Sequence, residues 1–109
     1  MNLPEIDVAQ AKALLEAGNA TFVDVRDPYS YRAGHVPGAR HVDDGNVGEF
    51  VAEHDKDATV VVYCYHGHNS LGATAFFQDQ GFSAVSSLSG GFTAWAAAGG
   101  ASEPGAAPD

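Results

Sequence analysis

The feature that most constrains the fold is Thr59-Val60-Val61-Val62-Tyr63, a β-branched run with no polar alternation after its first residue. A strand with one wet face alternates apolar and polar side chains, so an unbroken apolar run marks a strand covered on both faces. Parallel sheets sandwiched between helices bury strands in this way.

The flanking periodicities alternate between helix and strand. Asp7 caps a helix reaching about Ala17, with Gln10 three residues on completing a capping box. Val8, Ala11, Leu14 and Leu15 share its apolar face, and Gly18-Asn19 end it. Thr21 to Val25 is a short strand. Asp27-Pro28 opens a turn and one helical turn through Tyr31. Gly34 to Ala39 is a loop, followed by a very short strand over Arg40 to Val42. Helices are expected over Asn46–His54, Ser70–Gln80 and Gly91–Ala98, and a further strand over Ala84–Leu88. Strands separated by helices predict an α/β fold with a parallel sheet, whose ligands bind beyond the carboxyl ends of the strands. A chain of 109 residues makes one domain. That domain is expected over 1–98, with 99–109, which lack large apolar residues, as a flexible tail.

Charge narrows the function. Fourteen acids against five bases give a formal net charge of −9. Such a surface repels phosphate backbones and argues against a nucleic-acid partner. No run approaches the roughly 20 apolar residues of a membrane span, and Met1 to Glu5 open without the apolar core of a signal peptide. A cytoplasmic location is the expectation.

The only cysteine, Cys64, follows the most apolar strand directly. One thiol excludes an intramolecular disulfide and a structural zinc site built on several thiolates. Cys64 opens the turn Cys64-Tyr65-His66-Gly67-His68-Asn69-Ser70 into the next helix. Gly67 permits the backbone to bend, the loop N–H groups lack ladder partners, and the helix aims its positive end at the same point. Such a cradle lowers a thiol's pKa and makes it a nucleophile. The bland alternative is a small buried hydrophobe at a strand end. His66 and His68 are read as loop residues that tune local charge, with no metal expected. His35 is read as structural, bonding loop backbone. His41 and His54 are read as surface or strand-end residues. Asp24 and Arg26 are read as an ion pair fixing the loops rather than as an anion clamp. Phe92 and Trp95, spaced i, i+3, are read as core anchors.

Four segments together resemble the rhodanese family of sulfurtransferases, in particular its single-domain thiosulfate sulfurtransferases of the GlpE type. They are Phe22-Val23-Asp24-Val25-Arg26, Gly34-His35-Val36-Pro37-Gly38-Ala39, Cys64-Tyr65-His66-Gly67, and Gly90-Gly91-Phe92 with Trp95. The resemblance implies a three-layer rhodanese-like fold, with a five-stranded, mostly parallel sheet and helices on both faces. It implies sulfur transfer from thiosulfate through a Cys64 persulfide, with Tyr65, His66, Gly67, His68, Asn69 and Ser70 as the substrate cradle and no cofactor. The implied acceptor is cyanide in the assay, or a thiol such as a small dithiol or thioredoxin. A monomer or weak homodimer is expected. A persulfide relay between proteins would use the same residues. Phosphatases of related fold use Cys-x5-Arg, and here Ser70 stands in the Arg position. No Lys or Arg follows Lys56, and Leu71 stands just beyond the loop. Thiosulfate must then be held by backbone N–H groups and the loop histidines.

Overall fold

The computed structural model describes residues 4–105. Ten elements run in the order β1 (Glu5–Ile6), α1 (Val8–Ala17), β2 (Thr21–Asp24), α2 (Pro28–Ala33), β3 (Arg40–His41), α3 (Val47–Glu53), β4 (Thr59–Tyr63), α4 (Asn69–Asp79), β5 (Ala84–Leu88) and α5 (Gly91–Ala97). The strands form one five-stranded sheet in the order β1-β5-β4-β2-β3. Every pairing is parallel.

β4 is central, and its side chains explain the unbroken apolar run. Val61 and Tyr63 point into one core, with Phe22, Tyr31, Leu88 and Trp95. Val60 and Val62 point into the other, with Val23, Phe50, Phe77 and Val85. The period of two still operates, but each face meets a helical layer, so neither can be polar. Ala11 of α1, Tyr31 of α2 and Trp95 of α5 close the first core. Phe50 of α3 and Phe77 of α4 close the second.

Local signals place the elements well. Asp7 accepts from the Gln10 N–H at 2.8 Å while the Gln10 side chain accepts from the Asp7 N–H at 3.0 Å. Gly18, at φ 70°, ends α1 in the left-handed conformation. Asp27 caps α2, whose first residue is Pro28. α2 runs on to Ala33, beyond the single turn expected through Tyr31.

Two features depart from expectation. β1 has no local pattern, being two residues long, and exists because Glu5 and Ile6 pair with Ser87 and Leu88 across the sheet. The chain after α5 was expected to fray, yet the described part of it is docked. The Trp95 indole N–H donates to the Ala101 oxygen at 2.8 Å. His35 and Glu103 exchange backbone bonds at 3.0 and 2.9 Å, and the Gly105 N–H reaches the Arg32 oxygen at 3.0 Å. Backbone bonds and an indole donor hold this segment, neither of which needs the large apolar side chains it lacks. Residues 106–109 of the expected tail lie outside the described residues.

Candidate active site

β4 delivers Cys64 to the carboxyl edge of the sheet, and residues 65–68 turn back into α4. Gly67 has φ 92°, a left-handed conformation that glycine adopts without strain. That turn brings the Gly67 N–H to 3.1 Å from Cys64 Sγ. The Ser70 N–H, at the start of α4, lies 3.3 Å from the same sulfur. The Ser70 hydroxyl is 3.4 Å away. Sγ is thus ringed by two N–H donors and a hydroxyl while Cys64 itself is only 4% exposed.

The electrostatic outcome favours the anion. Burial pushes the Cys64 thiol up, but the Ser70 hydroxyl and the N–H groups of Ser70, Gly67 and His66 outweigh it. The net displacement is below the ordinary thiol value.

The C-terminal Gly-Gly-Phe segment holds the loop in this shape. The Phe92 N–H donates to the Cys64 oxygen at 2.8 Å, and the Thr93 N–H to the Tyr65 oxygen at 3.0 Å. The first turn of α5 therefore takes up the loop carbonyls, leaving the loop N–H groups free to face the sulfur. The approach is so close that a Cβ on Gly91 would lie 2.5 Å from the Tyr65 carbonyl and 2.6 Å from the Cys64 oxygen. A Cβ on Gly67 would lie 2.9 Å from the Gly90 nitrogen. Two glycine segments far apart in sequence interlock here, because neither could carry a side chain.

A cavity of about 500 Å3 opens over the sulfur, lined by Val25, Arg26, Asp27, Cys64, Tyr65, His66, His68 and Asn69. Of the loop residues, Tyr65, His66, His68 and Asn69 line the cavity, whereas Gly67 and Ser70 contact the sulfur from beneath. The exposed Tyr65 ring is tied through its hydroxyl to Ser30 Oγ. Leu71 is not part of the lining, since it lies one residue, roughly 100° of helical turn, past Ser70.

Asp24 and Arg26 form a buried pair, Nη2 to Oδ2 at 2.7 Å, with side chains 0% and 2% exposed. Nη2 also donates to the Gly34 oxygen at 2.6 Å, joining this pair to the Gly34–Ala39 loop. The guanidinium lies 4.2 Å from the Phe92 ring centroid and 5.1 Å from that of Tyr65. Arg26 therefore belongs to the cavity wall as well as to the ion pair, a second position that its distance from Cys64 in sequence concealed.

His35 is buried, with Nδ1 bonded to the Tyr31 oxygen at 2.8 Å and its ring stacked on Tyr31 at 3.8 Å. His41 ends strand β3, one of its two expected places, and is buried there, its Nε2 bonded to the Arg26 oxygen at 2.6 Å. His54 is half-buried against Phe50, and its Nδ1 has no partner among the described residues. Trp95 is core, and Phe92 bridges core and cavity by packing on both Tyr63 and Arg26.

Two participants escaped sequence reasoning. Asp27 marks a turn in the sequence, and in the fold it also lines the cavity. Ser87 is fully buried on β5, its Oγ 2.7 Å from Ser70 Oγ. The available signal was polarity: Ser86-Ser87 interrupts a strand that pairs with the all-apolar middle of β4.

The chain is similar to known proteins over most of its length. The family model described as Rhodanese-like domain matches residues 7–98. The chain is 42% identical to thiosulfate sulfurtransferase GlpE of Pseudoalteromonas translucida, over 90% of this chain and 93% of that protein. It is 54% identical to thiosulfate sulfurtransferase GlpE of Pseudomonas paraeruginosa, over 79% of this chain and 77% of that protein. Among solved structures, the Alr3790 protein from Anabaena sp. superposes with a TM-score of 0.83 at 31% identity, covering 91% of this chain and 82% of that one. With its parallel sheet, its cysteine at the carboxyl end of the central strand and these similarities, the chain belongs to the rhodanese-like domain family.

Proposed function

We propose that the protein is a sulfurtransferase that takes the sulfane sulfur of thiosulfate onto Cys64 and passes it to a nucleophilic acceptor. The observation that carries this reading is the sole thiol, ringed by the N–H groups of Gly67 and Ser70 and the Ser70 hydroxyl at the base of an open cavity. Relatives named thiosulfate sulfurtransferase support it.

In the first half-reaction the Cys64 thiolate attacks the outer sulfur of thiosulfate. A Cys64–sulfur bond forms, the sulfur–sulfur bond of the donor breaks, and sulfite leaves with the bonding pair. The same donors that hold the thiolate then stabilise the persulfide anion. In the second half-reaction cyanide or a thiolate attacks the outer sulfur, forming thiocyanate or a new persulfide and returning Cys64 as thiolate. A small dithiol or a thioredoxin-like protein would serve as the thiol acceptor. A phosphoryl-transfer reading lacks its clamp, because Ser70 stands where a guanidinium would have to grip phosphoryl oxygens.

Mass spectrometry of the intact protein before and after thiosulfate tests the first step, with the gain of one sulfur atom on Cys64 expected. Cys64→Ser should fold normally by circular dichroism, take up no sulfur and form no thiocyanate, because a hydroxyl is not ionised by this cradle near neutral pH. Near-wild-type thiocyanate formation by a folded Cys64→Ser protein would sink the assignment.

A further inference from the structure

We propose that Ser87 is a positioning residue for the Cys64 sulfur: its buried hydroxyl donates to the Ser70 hydroxyl, turning the Ser70 proton toward Sγ and holding that sulfur as an acceptor. The inference rests on the reading of Cys64 as the working thiol. Ser87 lies on β5 outside the cavity lining, and the sulfur's contacts run through Ser70. Ser87 Oγ is 2.7 Å from Ser70 Oγ, which is 3.4 Å from Sγ.

Proton counting gives the chain its direction. Each hydroxyl has one proton to donate. Suppose the chain ran outward, with the thiol donating to Ser70 and Ser70 to Ser87. The Ser87 proton would then need a further acceptor. Among the described residues Ser87 Oγ has no hydrogen-bond partner other than Ser70 Oγ, and Ser87 is 0% exposed. That direction would strand a buried donor. Run inward onto the thiolate, which has no proton of its own to place, Ser87 donates to Ser70, Ser70 donates to sulfur, and both hydroxyl protons are used. The N–H groups of Gly67 and Ser70 can only donate, so both require a sulfur that accepts, and the inward chain adds the Ser70 hydroxyl to them.

The relay is also mechanically fixed. Ser70 is 0% exposed, and its carbonyl accepts from Thr74 Oγ1 at 2.7 Å within α4. Ser87 is held in the ladder opposite Val62 of β4 and Glu5 of β1. β5 thereby reaches the chemistry of the loop on the far side of α4 without touching substrate.

The test is the pH dependence of iodoacetamide alkylation of Cys64 in the full chain. It compares wild type with Ser87→Ala, Ser87→Thr, Ser70→Ala and the double alanine variant. The charged and titratable groups around the sulfur stay the same throughout: Arg26 and Asp27 after β2, Asp24 behind Arg26, and Tyr65, His66 and His68 of the loop. Ser87→Ala removes one oxygen and leaves the strand ladder intact, and near-ultraviolet circular dichroism checks packing. Ser87→Ala is expected to raise the alkylation midpoint by roughly half a pH unit, slowing reaction below the midpoint about threefold. Ser87→Thr, which keeps the hydroxyl, should retain the wild-type midpoint. In the Ser70→Ala background, Ser87→Ala should add nothing.

A wild-type midpoint in Ser87→Ala would overturn the proposal. Independent, additive shifts in the double variant would do the same, as would a Ser87→Thr shift equal to that of Ser87→Ala, which would mark a packing effect. Sulfur uptake from thiosulfate, followed in the same samples, separates the two readings. Normal uptake with no dependence on Ser87 removes only the relay. No uptake and an ordinary thiol profile in wild type remove the sulfurtransferase reading itself.

Discussion

Gly91→Ala tests the interlock between α5 and the Cys64 loop. The new Cβ would lie 2.5 Å from the carbonyl carbon and oxygen of Tyr65 and 2.6 Å from the Cys64 oxygen. These are backbone atoms, pinned by the bonds from Phe92 and Thr93, so no rotamer change relieves the clash. α5 must withdraw, which breaks or stretches two hydrogen bonds of about 1 kcal/mol each. The left-handed φ of 62° adds about 1 kcal/mol for an L-residue. A total near 3 kcal/mol is expected, seen as a melting temperature lower by roughly 10–20 °C in a domain of this size. Gly99→Ala is the control, because Gly99 shares the conformation at φ 75° but has nothing within 4 Å of its Cβ position. It should lose only about 1 kcal/mol. Thermal and urea unfolding of both variants measure the difference, about 2 kcal/mol, which belongs to the contact with the loop. Withdrawal should also release the loop N–H groups from Cys64, so Gly91→Ala should transfer sulfur more slowly per folded molecule, and Gly99→Ala should not. Equal destabilisation by the two substitutions would refute the interlock.

Asp24→Asn should cost about 3–5 kcal/mol, because it strands the buried Arg26 guanidinium. Asp24→Asn/Arg26→Met should recover part of that loss in urea unfolding, and strict additivity would show the pair to be uncoupled. For thiosulfate affinity, a cation belongs at the cavity-lining position 69 rather than at 71. Asn69→Lys should lower KM by up to about fivefold, the value of one partly exposed charge pair. Leu71→Lys should change KM less, and steady-state kinetics giving the reverse order would contradict the cavity geometry. His54 is held below its ordinary imidazole value, chiefly by burial and then by Arg40. The unfolded chain therefore takes up the proton first, and stability should decline as pH falls from about 6.5 toward the lowered folded value. His54→Gln should flatten that part of the pH–stability curve, and an unchanged slope would assign it to other groups.

Local patterns in the sequence carried the strand–helix alternation a long way. The Asp7–Gln10 box, the Asp27-Pro28 start and the β-branched run at β4 are each decided within a few residues, so a linear reading suffices. The Cys64 cradle was legible for the same reason, since its glycine, its unpaired N–H groups and its following helix are contiguous in the chain. Contacts between distant segments were decided by the tertiary structure alone. β1 has no pattern of its own and takes its conformation from the edge of β5. Residues 99–105 look like a tail by composition, yet backbone pairing with His35 and the Trp95 indole hold them down. Arg26 is a loop residue in sequence and a cavity wall in space, because parallel β2 and β4 end at the same edge of the sheet. Gly91 must lack a side chain because the backbone of Cys64 and Tyr65 passes against it, and a sequence does not record what lies across that gap. Ser87 is the extreme case: one oxygen on β5 reads as a weak strand residue until α4 packs above it and places a hydroxyl 2.7 Å away.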